Sequence, residues 1–181
     1  MEAVKGVSMK KLIPIILILM LLFGCSKAKE PVDYVSELLG TDTSEFAVTA
    51  YYDTHSGWLG DGETVLIMSL TEHQETQLLR DTQNHFCRYD LPFSQPISIA
   101  LYGGEMDRGG VSYYHGSLFH TDSGEPIVPQ ITNGFCLFYD RHSESTDPSN
   151  DFRLHYRGSW NFDLAVYDAD TRTLYYLVLD T

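Results

Sequence analysis

Several features are scarce or absent in this sequence of 181 residues, and each absence narrows the classes of protein to which the chain can belong. No apolar stretch reaches the eighteen or so residues that a membrane-spanning helix needs. Lysine does not occur after Lys29, and the seven later cations are all arginine. Gly-x-Ser-x-Gly, His-Glu-x-x-His and Cys-x-x-Cys are all missing. No motif therefore assigns the chain to a hydrolase, zinc-protease or redox class.

One apolar run is present near the start. Leu12 to Phe23 is apolar throughout, follows Lys10 and Lys11, and precedes Gly24. Twelve helical residues span roughly 18 Å, which is short of the ~30 Å hydrocarbon core of a bilayer. A positive start, an apolar core and a small residue are typical of a secretory signal. Because Met9 opens a complete positive region with these lysines, we predict that translation starts at Met9 in a substantial fraction of molecules.

The end of this run, Leu22-Phe23-Gly24-Cys25, resembles the lipobox of bacterial lipoproteins. The resemblance implies signal cleavage between Gly24 and Cys25 and a diacylglyceryl group on the Cys25 sulfur. Each buried CH2 contributes about 0.8 kcal/mol, and two acyl chains anchor stably. The expected location is the outer face of the bacterial cytoplasmic membrane, in the cell envelope. The expected divisions are a signal peptide over 1–24, a lipidated tether over 25–31 and a single domain over 32–181.

The mature part is strongly acidic. From Cys25 onward it carries nine Lys and Arg against 24 Asp and Glu, which is a net charge of −15. Such a surface repels nucleic acid and anionic lipid headgroups. A cationic or glycan partner in the cell envelope therefore fits better than a nucleic acid.

Two cysteines remain once Cys25 carries the lipid. Cys87 and Cys136 form an even pair in an exported domain, which is compatible with a disulfide. That bridge would close a 49-residue loop and stabilise the fold by roughly 4 kcal/mol. Two buried free thiols are the alternative, since cysteine is among the most buried residue types.

Periodicity predicts an α+β fold: an antiparallel sheet of five to seven strands with one main helix on one face. Thr71 and Gln74 form a capping box for that helix, which should run over 72–84. A shorter helix is predicted between Pro31 and Gly40. Strands are predicted over 46–54, 64–70, 97–102, 111–119, 135–139, 162–166 and 174–179. The segments 105–110 and 140–150 are predicted to be loops.

Parts of the mature domain resemble small uncharacterised bacterial lipoproteins. The segments that carry the resemblance are Tyr52-Asp53-Thr54-His55 with Gly60-Asp61-Gly62, then 139–145, then 167–171. The resemblance covers most of the mature chain and implies no activity and no catalytic residue.

The glycine-rich loop between the first two strands is the first candidate site. Asp53, His55, Asp61 and Glu63 offer ligands for a divalent metal such as calcium or zinc, although their spacing matches no EF-hand. These residues also suit a solvated hairpin loop. Trp58 in this loop is a candidate partner contact.

A second candidate is Asp140-Arg141-His142 with the serines and glutamate that follow. Adjacency in sequence does not make a catalytic triad, and polar residues after a strand more often cap a turn. We therefore expect no catalytic residue here. The sequence favours a membrane-anchored, non-enzymatic binding domain, and the alternative is a metal-dependent hydrolase that uses the loop acids and histidines.

Overall fold

Eight strands and three helices make up the described part of the chain in the computed structural model, which covers residues 29–55 and 60–181 except the side chain of Arg108. The helices are α1 (Pro31–Leu39), α2 (Glu72–Thr82) and α3 (Gln95–Tyr102). The strands are β1 (Ala47–Asp53), β2 (Gly62–Ser69), β3 (Arg88–Asp90), β4 (Gly104–Arg108), β5 (Val111–His115), β6 (Gly134–Asp140), β7 (Asn161–Asp168) and β8 (Thr173–Asp180). Pro31–Thr181 forms one compact unit. None of the described helices combines the length and the apolar character needed to cross a membrane.

Six strands form one antiparallel sheet in the order β1-β2-β8-β7-β6-β3. A separate hairpin joins β4 to β5. The predicted α+β class, the number of strands in the sheet and both predicted hairpins, β1 with β2 and β7 with β8, are confirmed. The edge strand β1 is exposed at every position, whereas β7 is buried at six of its eight residues.

Apolar side chains cover both faces of the sheet, because strand residues point alternately to opposite sides. Leu137, Ala165 and Tyr176 belong to a core on the face covered by α1 and α2. Phe138 and Leu164 belong to a second core, on the face covered by α3 and the segments around Phe119 and Leu154. The central strands therefore read as almost continuous apolar runs.

The two predicted helices are confirmed on the first face. Thr71 and Gln74 make the reciprocal capping box at the start of α2. Within α2 only Leu78 and Thr82 are buried, so most of its side chains contact solvent. Gly40 follows α1 with φ +65°, a conformation that favours glycine, and its N–H bonds the carbonyl of Ser36 at 2.9 Å.

The predicted strand over 97–102 is wrong, because this segment is helix α3. Ile97, Ile99 and Leu101 alternate like a strand, but Ser94 caps the first turn by accepting a hydrogen bond from the Ile97 N–H. Pro96 lies in that turn, where its missing N–H is tolerated. A short apolar run fits either structure by periodicity, and the cap decides the outcome.

The predicted loop over 105–110 is also partly wrong. Residues 104–108 form β4, and only Gly109 and Gly110 turn the chain toward β5, both with positive φ. The Gly110 N–H bonds Asp107 Oδ1 at 2.7 Å, which closes the turn. The three-residue strand β3 was not predicted, since so short a strand has no detectable period.

Cys87 and Cys136 are free and buried. Cys87 packs in the core under α1 and α2, whereas Cys136 packs in the core on the other face of the sheet. Burial raises the pKa of Cys87 to about 12 and raises that of Cys136 as well. Of the two alternatives for this pair, the structure has the buried thiols and not the disulfide.

Candidate functional site

The end of β1 holds two of the four residues considered as metal ligands. His55 Nδ1 lies 2.7 Å from Asp53 Oδ1, and His55 Nε2 lies 3.2 Å from Asp180 Oδ2 at the end of β8. Burial opposes ionisation of Asp53, but hydrogen bonds from His55 and Tyr51 outweigh it and lower the Asp53 pKa. Both ring nitrogens of His55 are thus engaged by carboxylates, so neither is open to a metal in this arrangement.

The other two members of that set are not assembled with them. Asp53 pairs with Thr64 across the hairpin, so the neighbouring Glu63 directs its side chain to the opposite face of the sheet. Asp61 is exposed just before β2. Over residues 29–55 and 60–181 no three His, Cys, Asp or Glu side chains are grouped closely enough to hold a metal ion. Trp58, like Gly24 and Cys25, lies outside the described residues.

Arg141 connects the two candidate constellations, which the sequence keeps far apart. Its Nη2 lies 3.0 Å from Asp180 Oδ1, and its Nε lies 2.9 Å from Asp163 Oδ1 on β7. Burial raises the pKa of Asp163 despite the attraction of Arg141. Burial opposes the charge on Arg141, yet its two carboxylate partners raise its pKa. A row of ion pairs therefore crosses one end of the sheet from β1 to β6.

Asp140 makes a different contact, with an arginine that sequence reasoning did not single out. Arg157 Nη1 and Nη2 donate to the two carboxylate oxygens of Asp140, each at 2.9 Å. The side chains are only 4% and 10% exposed, so this is a buried, bidentate ion pair. The Asp140 Oδ1 atom also accepts from the His142 N–H at 3.2 Å. The pair fixes the start of the loop after β6 to its later part.

His142 lies beside a serine, but with the wrong proton arrangement for a serine nucleophile. Its Nδ1 accepts the backbone N–H of Glu144 at 3.2 Å, and its Nε2 lies 3.0 Å from Ser159 Oγ. Because a backbone N–H can only donate, the neutral ring carries its proton on Nε2 and donates it to Ser159. A general base would need the opposite tautomer, held by a carboxylate at Nδ1.

The loop over 141–160, together with Asp140, lines an open pocket of about 450 Å³. Asp140 and Arg157 line it together with Glu144, Asp147, Phe152 and Tyr156. The rings of Phe152 and Tyr156 stack with centroids 5.8 Å apart and an angle of 26° between their planes. They are nevertheless 67% and 46% exposed, which is unusual for large aromatic side chains.

Local hydrogen bonds hold the pocket loop in shape. Asp147 Oδ1 accepts from the Ser149 N–H at 3.0 Å and from its hydroxyl at 2.7 Å, and these bonds lower the Asp147 pKa. Asn150 Oδ1 accepts from the Phe152 N–H at 2.9 Å. Such turns fix the backbone without regular secondary structure, so the pocket is preformed.

A second cavity of about 380 Å³ lies between α1 and β6. Tyr34, Phe86 and Tyr139 line it, together with the already paired Arg141 and Asp163. Phe86 is 67% exposed, stacks on His85 at 5.0 Å and meets Tyr139 edge to face at 6.4 Å. Two polar residues of this second cavity, Arg141 and Asp163, are bonded to each other in the ion-pair row.

No protein-family model, curated protein or solved structure matches this chain. The pocket residues Arg157, Phe152 and Tyr156 were missed by sequence reasoning. A signal was present in the spacing of Phe152 and Tyr156, which are four residues apart in a polar stretch, but only the fold shows that their rings meet at a cavity.

Proposed function

We propose that this chain is a lipid-anchored, extracytoplasmic binding protein without catalytic activity, and that its ligand site is the pocket in the 141–160 loop. The observation that carries the binding site is that the exposed Phe152–Tyr156 stack and the buried Asp140–Arg157 pair line the same cavity. Exposed aromatic surface beside fixed polar groups in a preformed cavity is typical of a ligand site.

The absence of enzymatic activity is supported by the state of the polar residues. His142 donates to Ser159 and does not accept from it. Asp140 is committed to Arg157, and His55 lies between two carboxylates. Nothing in the described residues favours the alternative, a metal-dependent hydrolase built from Asp53, His55, Asp61 and Glu63.

The membrane anchor is proposed on the sequence of Leu22-Phe23-Gly24-Cys25 alone. Its test is metabolic labelling with palmitate in cells that express the wild type, Cys25→Ser or Cys87→Ser. We expect label on the wild type and on Cys87→Ser, because the Cys87 thiol of the wild type is buried. We expect no label on Cys25→Ser. Equal labelling of all three, or of none, contradicts the anchor.

The binding site is tested by co-sedimentation of the detergent-solubilised mature protein with isolated cell envelopes. Phe152→Ala removes an exposed ring at the pocket, and Phe86→Ala removes an equally exposed ring at the other cavity. We expect the first variant to lose most of its sedimentation and the second to retain it. If both behave like the wild type, the 141–160 loop is not the ligand site.

A further inference from the structure

The pocket in the 141–160 loop has a chemistry that narrows the class of its ligand. We infer that it takes a neutral glycan, with a pyranose ring laid against the Phe152–Tyr156 stack and its hydroxyls on the polar side chains around the cavity. This inference rests on the proposed binding function and specifies the ligand of the same site.

The aromatic stack supplies an apolar platform. Phe152 keeps two thirds of its surface in water, and Tyr156 nearly half. Covering such surface with an apolar face is favourable by about 25 cal/mol per Å². A pyranose ring offers a flat C–H face of that kind, while its hydroxyls project from the ring edge.

The charges around the pocket fit hydroxyl groups better than they fit an ion. Asp140 and Arg157 neutralise each other, and the other charged lining residues are Glu144, Asp147 and Arg153. The five charges sum to −1, which is too small to select strongly for a cation, and the acidic domain repels anions. A hydroxyl both donates and accepts, so it can use carboxylate and guanidinium groups side by side.

Arg157 also keeps hydrogen-bonding capacity that the fold does not use. Its Nε–H is buried and has no hydrogen-bond partner within the described residues, although the same guanidinium is paired to Asp140 through its other two nitrogens. A buried donor without an acceptor is unfavourable. Because Arg157 lines the pocket, a ligand oxygen within hydrogen-bond distance of Nε would supply the missing acceptor.

The shape of the site agrees with a short glycan segment. Its volume of about 450 Å³ lies within the ~300–1,000 Å³ usual for small-ligand pockets. The turns at Asp147 and Asn150 hold the loop before a ligand arrives, so binding does not require the loop to be ordered.

The experiment is a calorimetric titration of the detergent-solubilised mature protein with triacetylchitotriose, a neutral trisaccharide. The detergent must lack a sugar headgroup, because a maltoside would compete. Trilysine and trigalacturonate serve as cationic and anionic probes of similar size. We expect saturable binding of the neutral sugar only, weakened about tenfold by Phe152→Ala and unchanged by Phe86→Ala.

A second variant guards against a misfolded pocket. Glu144 is exposed, so Glu144→Gln removes a charge and should not perturb the fold; we expect it to weaken sugar binding two- to fivefold. If the affinity for the sugar is the same in the wild type, Phe152→Ala and Glu144→Gln, the inference is overturned. Trilysine binding at this pocket without sugar binding also overturns it. In that second case the envelope sedimentation still depends on Phe152, and the proposed binding function stands with a different ligand.

Discussion

Two loops leave the same end of the sheet and use their polar residues in different ways. In the described part of the glycine-rich loop between β1 and β2, His55 is bonded to both Asp53 and Asp180. The 141–160 loop after β6 contributes Arg157 to a buried ion pair with Asp140 in the lining of a cavity, and it leaves two aromatic rings exposed to solvent. Residues that could act as catalytic groups or metal ligands thus serve the fold where neighbouring strands supply their hydrogen-bond partners. A candidate binding site arises where a loop leaves aromatic surface exposed to solvent.

The largest loss of stability in this comparison is expected at the buried Asp140–Arg157 pair that lines the pocket. Asp140→Ala leaves the Arg157 cation buried without its carboxylate, which should lower the free energy of unfolding by about 3–5 kcal/mol. Urea denaturation measures the change. The matched control is Asp61→Ala in the other loop, where the aspartate is exposed and the expected change is within ~0.5 kcal/mol.

A double variant separates charge from packing at the same position. Asp140→Leu with Arg157→Met removes both charges, and most of the lost stability should return, because an apolar pair replaces a buried ion pair at little cost. Equal stability losses in Asp140→Ala and Asp61→Ala would show that the two loops do not differ in this respect.

An intermediate loss of stability is expected when the ion-pair row that connects the loops is broken. Arg141→Met removes the cation between Asp163 and Asp180 and should destabilise the fold by about 1–3 kcal/mol at pH 7. The exposed Arg153, changed to Met, is the control, with little expected effect.

The loss in Arg141→Met should depend on pH in a defined direction. Burial raises the pKa of Asp163 in the folded chain, so its contribution to stability is full below about pH 3.9 and is lost as pH rises through the folded-state pKa. Without Arg141 that pKa rises further, so the loss with increasing pH is larger. The gap between variant and wild type should therefore widen from pH 3.5 to pH 7 in urea titrations, and a constant gap contradicts this origin.

The smallest effect is expected in the glycine-rich loop. Asp61→Asn with Glu63→Gln should change the free energy of unfolding by no more than ~0.5 kcal/mol, since Asp61 is exposed and Glu63 faces away from Asp53. Elemental analysis of the dialysed wild type should find no stoichiometric zinc or calcium. One equivalent of metal that disappears in the double variant would instead favour the hydrolase.

The elements that could be predicted are those whose local signals agree with their place in the fold. The capping box at Thr71 and the alternation around Leu164 and Leu174 were sufficient for α2 and for the β7–β8 hairpin. The segment over 97–102 failed because its alternation favoured a strand, while the Ser94 cap and burial against the sheet stabilise a helix. In so short a segment, the periodicity of apolar residues does not show whether the helix cap or the strand-like alternation determines the structure.

The site was harder to predict than the fold, for a physical reason. Asp140 and Arg157 are seventeen residues apart, and the partners of Arg141 lie 22 and 39 residues away. The pairing of Arg141 with Asp163 and Asp180 depends on strand order, which brings β8 between β2 and β7. Sequence reasoning identified Asp53, His55 and Asp140 as notable residues, but their partners become evident only when the order of the strands is known.

Strand order also has a consequence for how this chain is made. β8 is the last of the eight described strands in sequence but third in the sheet, where its hydrogen bonds join the β1–β2 hairpin to β7. While a ribosome is still adding β8, neither half of the sheet has its neighbour, and both cores lack their β8 residues Leu174, Tyr175, Tyr176 and Leu177. We therefore expect the emerging polypeptide to stay unfolded until β8 has been added.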